Sequence, residues 1–410
     1  MSFEKIETIL IKKLHEIESS GRKKGNENII TKMTRPFKSK GARYYIEGYG
    51  NREFIRMNSN SYLGLHHHPD VLEAETKAGE LYGTGPGAVR FISGTFEPHI
   101  ELEKKLAAFH KKEAAMIFSS AYSAVMGIIP QLVDDKTVII NDELNHNSII
   151  NGTRLSRPLK NEIYKHCDID DLEEKIKASI DNTDRIVIIT DGIFSMRGDH
   201  GPLDRISSLA EKYDSHYKEG IIIIVDDSHG VGAFGSSGRG TVEYTGASDI
   251  DLIISTLGKA LGVNGGYVVS NKIIIDYLKE TSPLYIYTNP ITPSEAAAAL
   301  KALEILDSQE GFELIRKLNK LTGQFERGLL SMGLETIQGD HPIVPLITRD
   351  TDKTNKLVSH LFNHDILATG IKYPVVPKNE DEIRFQISAD HSETDIDYVL
   401  QILEKFYNGK

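Results

Sequence analysis

A single cysteine, Cys167, stands in 410 residues, and tryptophan is absent. One thiol cannot close a disulfide within the chain and supplies too little sulfur for a Cys-rich metal centre, so Cys167 reads as inert. Basic charge is also in deficit, with 48 Lys and Arg against 59 Asp and Glu and a net charge of −11. That balance excludes the basic surplus a nucleic-acid backbone or an anionic membrane would attract. No stretch approaches the roughly 18–20 apolar residues of a membrane span. The leading segment Met1–Lys24 places Ile6, Ile9, Leu10, Leu14 and Ile17 at helical spacing among charges, an amphipathic helix and not a signal-peptide core. These absences leave a cytoplasmic globular chain, and 40% hydrophobic with 26% charged residues is the ordinary composition of one.

Apolar runs separated by helical spacing fill the middle of the chain. Strands are expected at Ala114–Phe118, Val138–Ile140, Ile186–Thr190, Ile221–Val225 and Leu252–Thr256, with helices between them. This alternation predicts an α/β fold around a mostly parallel sheet covered on both faces. Proline density rises near 283–293, and a long alanine-rich helix follows. The expected organisation is an N-terminal helix and arm over 1–58, a large domain over 59–290, and a smaller α+β domain over 291–410. His66, His67 and His68 cannot share one face of a strand or helix and read as surface.

Chemistry concentrates at strand ends, where open α/β sheets bind ligands. The run Ile221–Val225 delivers Asp226, Asp227 and His229, and Leu252–Thr256 delivers Lys259 into a turn between Gly258 and Gly262. A carboxylate and an amine therefore converge. The turn Ser119–Tyr122 opens a helix whose free N–H groups and dipole would suit a phosphate, though an ordinary strand-to-helix turn reads the same. Arg384, on the strand Ile383–Ile387, is either a carboxylate clamp or an edge residue. No Gly-x-Ser-x-Gly elbow is present, and Asp226 with His229 lacks a third evident zinc ligand. A Schiff-base lysine, an acid for a pyridinium nitrogen and a phosphate cradle are together the requirements of pyridoxal 5′-phosphate.

Here the chain resembles a known family. Asn60-Ser-Tyr-Leu-Gly-Leu65, Ser93-Gly-Thr95, Asn145-His146, Thr190 to Met196, Val225 to His229, Gly238-Arg-Gly240, Thr256-Leu-Gly-Lys259 and Ile383-Arg384 follow in the order of the α-oxoamine synthases. These are fold-type-I pyridoxal phosphate enzymes that join an amino acid to an acyl-CoA. The resemblance implies Lys259 as the covalent anchor and base, Asp226 at the ring nitrogen, His146 stacked on the ring, and His229 and Ser195 at the 3′-oxygen. It implies Ala121, Tyr122, Thr256 and a partner subunit's Thr288 around the phosphate. Asn60 and Arg384 would take the amino-acid carboxylate, and a homodimer would share the sites.

Within the family, Val89 to Thr95 and Thr256 to Gly262 are similar to the glycine C-acetyltransferases, also called 2-amino-3-ketobutyrate CoA ligases. The expected substrates are therefore glycine and acetyl-CoA. Phe91 stands where succinyl-using members carry asparagine. Gly230 and the short loop Gly262–Gly266 instead resemble 8-amino-7-oxononanoate synthases, so a member using alanine or serine and a longer acyl thioester, serine palmitoyltransferase among them, is the alternative. Asn147, Val125 and Pro290 depart from the family pattern, and Asn147 is expected to face the substrate. The intact lysine, aspartate and histidine set opposes a third reading, a catalytically dead scaffold.

Overall fold

The computed structural model describes residues 2–20, 23, 27–373 and 375–409. Met1, Gly21, Arg22 and Lys24 of the expected leading helix lie outside them; within them the helix is Ser2–Ser19.

Seven strands form the main sheet in the order Ala114–Phe118, Gly266–Ser270, Leu252–Thr256, Ile221–Asp226, Arg185–Asp191, Thr137–Asp142 and Lys160–Tyr164. All pairings from Leu252–Thr256 to Lys160–Tyr164 are parallel. Gly266–Ser270 alone runs against both its neighbours. Successive side chains of a strand face opposite sides of the sheet. Ile186, Ile188, Ile223 and Val225 accordingly join one hydrophobic core, while Val187, Ile189 and Ile224 join another on the opposite face. Burial on both faces is what the unbroken isoleucine and valine runs require.

A second sheet of three antiparallel strands, Ile343–Ile347, Glu382–Gln386 and Thr369–Ile371, has Glu382–Gln386 at its centre. Arg384 therefore lies on an interior strand and is 9% exposed, which removes the edge-residue reading. The small sheet is tied back to the N-terminal segment, since Gln386 N–H donates to Met57 and Ala389 N–H to Tyr62. The histidine run also corrects the surface expectation. A 3₁₀ turn over Leu65–His67 sends His67 inward, where its Nε2 lies 2.9 Å from Asp390 Oδ1. Val125, on the buried face of the helix Ala121–Ile128, shares a hydrophobic core with Ile129 and Ile149, which accounts for an apolar residue there.

Candidate active site

The carboxyl ends of the parallel strands open into a cavity of about 260 Å³. Its walls bring together Ala121, Tyr122, His146, Ser195, Asp226, His229, Thr256 and Lys259. Eight residues spread over 139 positions of sequence thus meet at the place the strand-end rule predicts.

Each is held by local structure. Ser120 caps the helix Ala121–Ile128, its Oγ accepting from Ser123 N–H at 3.0 Å, so the first-turn amides of Ala121 and Tyr122 are left for a ligand. His146 precedes the helix Asn147–Ser156; its Nδ1 lies 2.7 Å from Ser148 Oγ while the ring is exposed to the cavity. Asp226 ends its strand with Oδ1 accepting from Ser228 N–H at 3.1 Å. Thr256 Oγ1 accepts from Gly258 N–H and donates to Gly265 O, both at 3.0 Å, closing the turn that carries Lys259.

Electrostatics separate the groups. Burial lowers the Lys259 amine to about 8 against the opposing pull of Asp226. Burial also holds His146 and His229 below the usual histidine range, and Lys259 pushes His229 further down. Both imidazoles are neutral near pH 7. Asp227, one residue beyond Asp226, faces away from the cavity. It is fully buried, accepts from Thr241 N–H and Oγ1 at 2.7 Å each, and burial raises it to about 6.

Asn60 and Arg384 lie beyond the cavity wall and reach it through a hydrogen-bonded line. Arg384 Nη2 donates to Asn60 Oδ1 at 3.2 Å, Tyr62 Oη donates to the same oxygen at 3.4 Å, and Tyr62 Oη lies 2.8 Å from His229 Nδ1. Arg384 Nε is buried and has no hydrogen-bond partner among the described residues. Asn147 and Thr288 do not line this cavity. Asn147 Oδ1 accepts from Tyr122 Oη and Asn151 Nδ2, both at 2.9 Å, so its acceptor is engaged at the surface beside a tyrosine that lines the cavity.

Asp191 belongs to the site and is missing from the sequence reading. It lines the cavity opposite Asp226 in strand register, and Oδ2 accepts from His146 N–H at 3.0 Å. Burial and the charge of Asp226 push its carboxyl well above the usual range. The signal was available, because Ile186–Thr190 delivers Asp191 to a strand end as Ile221–Val225 delivers Asp226.

The cavity suits a flat, phosphorylated aldehyde. It offers a half-buried amine, a carboxylate, an exposed imidazole face, a capped helix start and a buried Ser228 Oγ that has no partner among the described residues.

Comparison with known proteins agrees with that geometry. The family described as aminotransferase class I and II matches residues 52–403. An 8-amino-7-oxononanoate synthase of Petrotoga mobilis is 42% identical over 369 residues, covering 90% of this chain and 91% of its own. That of Bacillus subtilis is 37% identical, covering 87% and 88%. Among solved structures, serine palmitoyltransferase from S. paucimobilis superposes with a TM-score of 0.87 at 26% identity, over 98% of this chain and 97% of that one. The 8-amino-7-oxononanoate synthase of Francisella tularensis gives 0.73 at 25% identity, over 87% and 98%.

Proposed function

This chain belongs to the class I and II aminotransferase family and, within it, to the α-oxoamine synthases that use pyridoxal 5′-phosphate, and on that premise we propose that it condenses alanine with a seven-carbon dicarboxylic acyl thioester. The observation that carries this reading is the near-full-length likeness to relatives named for 8-amino-7-oxononanoate. The product name contains the substrates. A nonanoate with a ketone at C7 and an amine at C8 divides between those carbons into a seven-carbon acyl group, pimeloyl, and alanine less its carboxylate. The expected glycine and acetyl-CoA pair finds no support among these relatives.

Lys259, Asp226, His146, His229, Ser195, Thr256 and the amides of Ala121 and Tyr122 are the residues that would hold the cofactor. When bound, the cofactor supplies an aldehyde for the lysine and a ring that withdraws electrons from the amino acid's α-carbon. Lys259, with its amine near 8, is free base in part at neutral pH and takes the proton from that carbon. Asp226 holds a proton at the pyridine nitrogen. Neutral His146, whose ring is exposed to the cavity, would cover one face of the cofactor ring and restrict water there. Arg384 and Asn60 orient the substrate carboxylate, and Tyr62 fixes His229. In this reading the protein is a cytoplasmic homodimer, and Thr288 serves the neighbouring subunit's phosphate site.

Thiol release from acetyl-, pimeloyl- and palmitoyl-CoA, each paired with glycine, alanine and serine, tests the proposal. Release from pimeloyl-CoA with alanine supports it. Release confined to acetyl-CoA with glycine, or to palmitoyl-CoA with serine, overturns it.

A further inference from the structure

A second cavity, of about 280 Å³, meets the first at Ser195, which lines both. It runs between the segment Phe194–Arg197 and the small three-stranded sheet. Leu144, Phe194, Met196, Ile337, Ile347 and Val376 give it an apolar wall. Its charged groups are Arg197, Arg349, Glu335, Glu380 and Glu382.

Arg349 is already engaged, its guanidinium clasping the Glu335 carboxylate at the surface. Arg197 differs. Its Nε donates to Asp199 Oδ2 at 2.8 Å, and among the described residues its two terminal nitrogens make no hydrogen bond. That carboxylate is braced in turn, with Asp199 Oδ2 3.1 Å from His166 Nε2 and His166 Nδ1 3.0 Å from Asp142 Oδ1. Burial opposes charge on His166, yet the two carboxylates push it up to about 11, so the imidazole is a fixed cation. The brace holds one edge of the guanidinium and leaves the opposite edge for a ligand.

Facing the same space, Glu382 is 3% exposed, and its Oε1 has no hydrogen-bond partner among the described residues. Burial raises this carboxyl to about 8 despite Arg384 and Arg197. Near neutral pH it is mostly protonated, and a neutral carboxyl can donate to an anion. Glu382 also precedes Arg384 by two residues on one strand, so both side chains leave the same face of the sheet. The amino-acid carboxylate site and the second cavity are therefore adjacent along that strand.

We propose that this second cavity receives the acyl chain of the thioester and that Arg197, with Glu382 beside it, binds the chain's distal carboxylate. The inference rests on the proposed function and deepens it by assigning the residues that would distinguish a dicarboxylic donor from a monocarboxylic one. Six apolar side chains accommodate the methylenes. A charged end group would otherwise be costly in such surroundings, and the free guanidinium edge with the protonated carboxyl offsets that cost.

The test compares pimeloyl-CoA with heptanoyl-CoA, of equal chain length, as donors to alanine in the holoenzyme. Calorimetric titration with free pimelate and heptanoate gives a readout independent of turnover. Wild type should favour the dicarboxylic donor in kcat/KM and bind pimelate more tightly. Arg197→Met should lower both preferences roughly 10- to 100-fold while leaving heptanoyl-CoA turnover nearly unchanged. Arg197→Lys should recover part of the preference, and Glu382→Gln, which keeps a neutral donor, should retain it better than Glu382→Leu. If wild type prefers pimeloyl-CoA and Arg197→Met preserves that preference, the inference is overturned and the proposed function stands. If wild type releases no thiol from pimeloyl-CoA with alanine, the proposed function itself falls and the inference with it. A variant that loses heptanoyl-CoA turnover to the same degree also overturns the assignment, because the residue would then be structural.

Discussion

Tyr62 and His229, 167 residues apart, share a 2.8 Å hydrogen bond between phenol oxygen and imidazole Nδ1. Both are buried, so neither atom has water as a substitute partner. Tyr62→Phe keeps the ring packing and strands the imidazole nitrogen. The expected cost is about 1–3 kcal/mol of stability, with weaker cofactor retention, measured by denaturant unfolding and by cofactor titration.

Lys259→Ala should abolish thiol release, a loss of at least roughly 10³-fold, while the folded protein still takes up cofactor noncovalently. Borohydride should fix the cofactor to wild type and not to the variant. Mass spectrometry reads the difference directly.

Covalent capture of added pyridoxal phosphate by cofactor-free protein requires the unprotonated Lys259 amine. With that amine lowered to about 8, the capture rate should rise roughly tenfold per pH unit below 8 and level off above it. A stopped-flow series from pH 6 to 11 checks this. A midpoint at the ordinary lysine value of about 10.4 would show that burial does not act as described.

Arg384→Ala should raise KM for the amino acid by roughly 10- to 100-fold, with a smaller effect on KM for the thioester. Arg384→Lys should restore only part of the loss, since a point charge cannot reproduce the planar fork. Steady-state kinetics with each substrate varied separates the two.

Gly230→Ala should destabilise the protein by about 1–3 kcal/mol, read as a fall in thermal midpoint. A methyl group there would overlap the Asp227 carboxylate, and the same holds at Gly192 and Gly240. Asp227 is thus walled in by three glycines. The glycine at 230, which the sequence offers only as a mark of resemblance, has a packing reason.

What the sequence made legible follows from how strongly each segment is patterned. Ile221–Asp226 and Leu252–Thr256 are continuous apolar runs, and both strands lie where those runs place them. Lys160–Tyr164 escaped notice because it is a polar edge strand with three exposed residues. Gly266–Ser270 escaped because its glycine-rich approach reads as loop, although all five residues are buried. The meeting of Lys259 with Asp226 was readable from strand ends. Asn60 and Arg384, 324 positions apart, are paired in the sequence only by resemblance, and the Tyr62 link from Asn60 to His229 is not legible there at all, because it is made through side chains alone. His67 was misread for a related reason: its partner Asp390 lies in the other half of the chain. The choice of glycine and acetyl-CoA rested on short motifs, whereas the cavity proposed for the acyl chain has walls drawn from five separated stretches.

Asp226 and Asp227 are neighbours with opposite destinations, one toward the cavity and one toward the pocket of glycines. Because strand side chains alternate, the two are told apart only by counting from Ile221. Exchanges among Ile221, Ile222, Ile223 and Ile224 should therefore be borne easily during evolution, whereas insertion or deletion of one residue would deliver the wrong aspartate to each side. The length of this strand, more than its composition, is the inherited information.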